Sequence, residues 1–218
     1  MPTAILIDGG YFIKRFRAIE PHNKYDASRA ADVAFRCALS HLREKDARHA
    51  SVLYRIFFYD CPPVSKKMHW PQSRKAVDFS KSEEALFRLA LHERLRKKRK
   101  VALRLGTLSH VEWAMRPGVA MDLAKGRRQV QDVSDEDFEL SVRQKGVDMR
   151  IGLDIASIAF KKQAKKIVLF AGDSDFVPAA KLARREGIDF VLDPMWREIS
   201  PDLHEHIDGL RSTIRRPA

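Results

Sequence analysis

A chain of 218 residues with 44% hydrophobic and 32% charged residues has the length and balance of one large soluble α/β domain, 1–218. Two cysteines exclude a disulfide framework. No apolar run reaches the roughly 20 residues of a membrane-spanning helix, and Met1-Pro2-Thr3-Ala4 lacks the basic region and long apolar stretch of a signal peptide, which predicts a cytoplasmic protein without a membrane partner.

The formal net charge of +12 and pI near 9.9 favour a polyanionic partner, nucleic acid first. Such an excess attracts phosphates through counterion release and steering without selecting a sequence.

Residues 3–7 form a continuous apolar run stopped by Asp8-Gly9-Gly10, the pattern of a strand buried on both faces. A helix starts near Tyr11. A second starts at Asp26 and places Ala30, Ala34, Cys37, Ala38 and His41 on one face. Residues 52–59 are rich in strand formers and end before Cys61-Pro62-Pro63. Cys37 and Cys61 read as buried or incidental thiols. Residues 62–79 are polar, basic and proline-containing, which predicts a long loop. Ser80-Lys81-Ser82-Glu83 fits a capping box opening a helix to about Arg99, with Leu86, Leu89 and Ala90 sharing a face. A strand follows at 101–105, then a polar connection over 107–145 with one irregular hairpin. Helix 149–161, strand 166–171, helix 176–186 and strand 188–192 complete the pattern. This alternation predicts an α/β three-layer sandwich around a mostly parallel sheet, with ligands beyond the carboxyl ends of its strands.

Asp8 directly follows one such strand, and Asp173 and Asp175 closely follow another. If both strands are central, the three carboxylates share a crevice. Like charges so placed raise one another's pKa, and a divalent cation removes the conflict. Hard oxygen donors select Mg²⁺ or Mn²⁺. The structural alternative is that Asp175 or Ser174 caps the next helix, with Pro178 tolerated in its first turn. Capping leaves Asp173 and Asp8 unexplained. Asp148 opens the 149–161 helix, and there a ligand and an N-cap stand equal. Asp154, six residues on, points about 240° away on an ideal helix and reads as second-shell or structural support.

Ile7-Asp8-Gly9-Gly10-Tyr11, Lys145-Gly146-Val147-Asp148 and Gly172-Asp173-Ser174-Asp175-Phe176, in this order over residues 3–193, resemble the NYN domain, a family of PIN-like nucleases. The resemblance implies a Rossmann-like PIN-type fold, RNA as substrate, and a pocket in which Asp8, Asp148, Asp173 and Asp175 hold one or two Mg²⁺ or Mn²⁺ ions for phosphodiester hydrolysis. Many relatives carry Asn where this chain has Tyr11. Ser174 is read as a hydrogen-bonder of the pocket rather than a nucleophile, since no His–Asp relay accompanies it. Lys145 steadies a phosphate or is a plain surface lysine.

Arg94, Arg96, Lys97, Lys98, Arg99 and Lys100 put six cations in seven residues at a helix end. That is more than dipole complementation needs, and it reads as a phosphate-tracking patch. Lys66, Lys67, Arg74 and Lys75 with Trp70 suit a single-strand binding loop or a mobile polar loop. His204-Glu205-His206 is too sparse for a metal site. The rival functions are a non-catalytic RNA-binding module, a partner-binding scaffold, and a dehalogenase-like phosphatase. The last wants Asp-x-Asp-Gly, and Gly10 holds its second acidic position. The oligomeric state is open, a homodimer included.

Overall fold

The computed structural model describes residues 1–43 and 51–216. In chain order its elements are β1 Pro2–Asp8, α1 Gly9–Ile19, α2 Ala27–Ser40, β2 Val52–Asp60, β3 Lys67–His69, β4 Ala76–Asp78, α3 Glu83–Arg96, β5 Val101–Leu105, β6 Thr107–Met115, α4 Pro117–Ala124, β7 Phe138–Lys145, α5 Val147–Phe160, β8 Lys166–Phe170, α6 Val177–Arg185, β9 Asp189–Asp193, α7 Pro201–Glu205 and β10 Gly209–Leu210, with short 3-10 turns between them. Six strands form one sheet in the order β10-β9-β8-β1-β2-β5, and every neighbouring pair in it is parallel.

Strand side chains alternate between faces, and that alternation builds two cores from one sheet. Ala4, Leu6, Tyr59, Ile167 and Leu169 face a layer made by α5 and α6 through Ile151, Ile155, Ala180 and Ala183. Ile5, Ile7, Phe58, Val168 and Phe170 face α1, α2 and α3 through Phe12, Phe16, Ala34, Leu91 and Leu95. The central strands are therefore apolar on both faces through their middles, and the expected three-layer sandwich with a Rossmann-like parallel sheet is what the chain forms.

Several local expectations are corrected. Residues 62–79 are not a plain loop, because β3 and β4 pair as a small antiparallel hairpin. Within it Trp70 stacks on Trp113 with ring centroids 4.2 Å apart, so this ring is already partnered. The apolar face of α3 is also different. Leu86 and Leu89 are 56% and 53% exposed, whereas Ala85, Phe87, Leu91, His92 and Leu95 are buried. The buried side of α3 contains a histidine, and Arg88 is largely covered as well, which is why hydrophobic spacing misplaced it. The helix also stops at Arg96 rather than Arg99. The connection 107–145 is the expected irregular hairpin, β6 on β7 with a register shift between Ser109 and Val111. Cys37 and Cys61 are free and buried.

Candidate active site

Connections leave β1 and β8 toward opposite sides of the sheet, so a crevice opens beyond their carboxyl ends. Asp8 is the last residue of β1, and Asp173 stands three residues past the end of β8. Two glycines set this geometry. A Cβ on Gly9 would lie 2.5 Å from the Tyr59 carbonyl oxygen and 2.6 Å from the Phe58 ring, so only glycine lets the turn into α1 pass β2. A Cβ on Gly172 would meet the Tyr11 ring at 2.7 Å. Tyr11 itself donates its hydroxyl to the Pro194 carbonyl at 2.7 Å, closing the floor between β8 and β9.

β1, β2 and β9 all end in aspartate, and their fates differ. Asp60 is fully buried and bonded to Arg88 and, at 2.8 Å, to His92 Nε2. Asp193 is likewise buried. It meets His41 Nε2 at 2.9 Å and accepts from the Thr213 hydroxyl at 2.8 Å and the Met195 amide at 2.9 Å. Both are committed to protein partners. Asp8 accepts only from backbone, the Tyr11 amide at 3.0 Å, with the Gly10 amide nearby. Burial pushes its carboxyl up to about 6; the amide bonds oppose this, while Asp148 and Asp60 add to it. Among the described residues it has no cationic partner.

Asp148 is the second residue of α5. The residue at the N-cap is Gly146, with φ of 80°, and no side chain caps this helix. The capping alternative for Asp148 is thereby removed. Its carboxyl is held above the usual carboxylate range by partial burial, then by Asp173 and Asp175. Asp173, expected to have no capping role, does have one: it accepts from the Asp175 amide at 3.2 Å as N-cap of the turn Ser174–Phe176. Neither Asp175 nor Ser174 is that cap, and both are exposed. Asp8 likewise caps α1. Asp8 thus senses the charge of Asp148 and Asp60, and Asp148 that of Asp173 and Asp175. No group of three or more histidine, cysteine, aspartate or glutamate side chains among the described residues is gathered tightly enough to hold a metal ion as it stands.

Asp154 points elsewhere, as its spacing predicts. It accepts from the Tyr59 hydroxyl at 2.8 Å and lies 3.5 Å from Arg104, pinning α5 to the sheet. Lys145 ends β7, three residues before Asp148, and is exposed. The basic run is elsewhere. α3 leaves the carboxyl end of β2 and delivers the chain to the amino end of β5, so Arg94 to Lys100 lie at the opposite edge of the sheet from the carboxylates. At about 3.3 Å per residue, the five-residue β5 alone puts roughly 16 Å between the two edges. Lys97 pairs with Glu93 and Lys98 with Asp32, while Lys100 donates to the Leu53 carbonyl. Arg94, Arg96 and Arg99 remain exposed, without a hydrogen-bonded or ion-paired partner among the described residues. His206 pairs with Asp202 at 3.6 Å.

Sequence reasoning missed the Asp60–Arg88–His92 cluster, whose members lie 28 and 32 residues apart in the chain. It also missed Gln144, whose amide oxygen would lie 4.0 Å from a Cβ on Gly10. The one available signal was Asp60 itself, an aspartate at a strand end like Asp8.

A sequence profile of the NYN domain matches residues 90–204, more than half of the chain and including Asp148, Asp173 and Asp175 but not Asp8. No curated protein matches the chain. A crystal structure of a protein of unknown function from Vibrio parahaemolyticus is similar with a TM-score of 0.47 and 13% identity, over 97% of this chain and 91% of that one. No helix among the described residues is long and apolar enough to cross a membrane.

Proposed function

We propose that this chain, which belongs to the NYN domain family of PIN-like nucleases, is a metal-dependent ribonuclease that hydrolyses phosphodiester bonds at Asp8, Asp148, Asp173 and Asp175. The observation that carries the reading is the contrast among the strand-end aspartates. Asp60 and Asp193 have protein partners, whereas Asp8, and Asp148 at the start of α5, are raised by burial and by neighbouring carboxylates, with no ion-paired cation among the described residues. Such uncompensated anions in a crevice fit a hard divalent cation.

The donor set is all carboxylate oxygen, which suits Mg²⁺ or Mn²⁺ and no softer metal. Bound there, such an ion supplies Lewis-acid polarisation of the phosphoryl oxygens and lowers the pKa of water. The chain's own residues do the rest. Asp8 and Asp173, fixed by their backbone hydrogen bonds, set the crevice wall. Asp148 and Asp175 come from the starts of α5 and of the turn before α6, closing it from the other side. Asp154 positions Asp148 by holding α5 against Tyr59. Lys145 and the exposed Arg150 place cations at the rim for a phosphate backbone.

The test is Asp148→Ser beside Asp148→Ala and Asp173→Asn. Serine and alanine both remove the carboxylate from a position that caps nothing, so neither restores a ligand. Both Asp148 variants are expected to lower Mn²⁺-dependent cleavage of labelled RNA at least about 100-fold, more than the loss of an outer-sphere partner, with stability within about 1 kcal/mol of wild type. Asp173→Asn keeps its cap and is expected to be equally inactive. Wild-type cleavage by Asp148→Ser would remove it from the site. The capping bonds of Asp8 and Asp173 favour one rival, an RNA-binding module without turnover, and that rival predicts metal-independent RNA binding and no cleavage by the wild type.

For binding, three cations of the basic run are committed within the fold. Replacing Arg94, Arg96 and Arg99 with glutamine is therefore expected to reduce the slope of log K against log salt by up to about 2, at roughly 0.7 per single-strand phosphate contact. Fluorescence anisotropy across a salt series reads this directly. An unchanged slope would leave those arginines as a solvated helix end.

A further inference from the structure

The β6–β7 hairpin rises from the carboxyl end of β5 and returns to α5, so it stands on the same side of the sheet as the carboxylates. One face of β7 presents Leu140, Val142 and Gln144, alternate residues of one strand, with Leu108 of β6 opposite Gln144. Across from them stand Pro62 of the segment after β2 and Arg88 of α3, and between these walls lies a slot of about 310 Å³. That volume is at the small end for a ligand pocket, suited to one flat ring system.

We propose, resting on the ribonuclease reading, that this slot takes one unstacked nucleobase of the RNA, next to the phosphodiester held at the carboxylates. Three observations support that occupant. The slot lies near Asp8, because Gln144 lines it and a Cβ placed on Gly10 would lie 4.0 Å from the Gln144 amide oxygen and 3.4 Å from Asp8 Oδ1. Its walls are mostly apolar with a polar end, matching a base's greasy faces and hydrogen-bonding edge. The polar side chains at that end are not equally available. Arg88 is bonded to Asp60 and Glu84, and Ser82 donates to the Phe79 carbonyl and accepts from the Ala85 amide. The Gln144 amide has no partner among the described residues. It offers one donor group and one acceptor side by side, which is what reading a base edge requires.

The experiment uses single-stranded oligoribonucleotides, identical except that one position at a time carries A, C, G, U or an abasic nucleotide. Binding is measured by anisotropy in EDTA and cleavage in Mn²⁺. At one register the abasic nucleotide is expected to weaken wild-type binding about tenfold, the size of one base contact. The four bases are expected to differ at that same register. Val142→Trp fills the slot and is expected to erase the abasic effect. Should that variant not fold, Gln144→Ala at an exposed strand end still decides: differences among the bases should shrink to within about twofold. No abasic-sensitive register, or a Gln144→Ala base profile equal to wild type, overturns the slot. The two readings separate cleanly. A wild type that cuts RNA without any sensitive register keeps the nuclease and loses the slot; one with a sensitive register in EDTA but no cleavage keeps the slot and loses the nuclease.

Discussion

Asp8→Asn is expected to give a protein that melts higher than wild type in EDTA at pH 7.5 and does not cut RNA. Asparagine caps a helix as well as aspartate does, so the bond from the Tyr11 amide survives the change. What disappears is the charge. The Asp8 carboxyl rises from an ordinary 3.8 to about 6 in the fold, so the folded state resists its ionisation. The resulting cost is absent below the unfolded value, grows between pH 3.8 and 6, and is complete above 6. At full ionisation it is on the order of 3 kcal/mol. The difference in melting temperature between variant and wild type should therefore shrink as pH falls from 7.5 to 5. Mn²⁺ should reverse the order, because it stabilises only the chain that binds it. Thermal melts with and without Mn²⁺, beside a cleavage assay, read all of this. A variant that melts lower in EDTA at pH 7.5, or cuts RNA normally, would contradict the account of Asp8.

Arg88→Met is expected to cost about 3–5 kcal/mol of stability, the largest structural loss among these predictions. Removing one member of a buried pair leaves the other charge without compensation. Asp60 is fully buried and holds both Arg88 and His92. Arg88 also accounts for the order of Glu84, which reaches on to Arg17. Methionine keeps most of the packing volume, so the loss would report charge. The double variant Asp60→Asn with Arg88→Met should recover a good part of it, since the stranded charge is then gone. Urea midpoints of the four proteins give the coupling. A single variant within about 1 kcal/mol of wild type would mean that Asp60 does not depend on Arg88.

The central sheet was legible because its strands are buried on both faces. Residues such as Ile5, Leu6, Val168 and Leu169 leave a continuous apolar signature that nothing else in the chain imitates. Strand-end placement then puts Asp8 and Asp173 at the carboxyl edge of that sheet. What escaped was polar burial. The inner side of α3 carries His92 and Arg88, satisfied by an aspartate on another element, and hydrophobic spacing cannot register a pair of that kind. The caps escaped for a different reason. Asp173, Ser174 and Asp175 are all good capping residues, and only backbone geometry selects Asp173. The β3–β4 hairpin was hidden because three-residue strands give too little alternation to detect.

The exposed arginines of the basic run stand at one end of the strands, and the four aspartates follow the elements at the other end. If the chain is the ribonuclease proposed above, an approaching polynucleotide would first meet the arginine edge rather than the carboxylates. A strand must then reach past the flank of α3, roughly 16 Å or more at 3.3 Å per residue of β5, before any of its linkages lies between the four aspartates. On that reading, oligonucleotides too short for that span would be captured without being presented, and would act as competitors rather than substrates. The distance between the two edges of the parallel sheet would then be a ruler that sets a minimum substrate length.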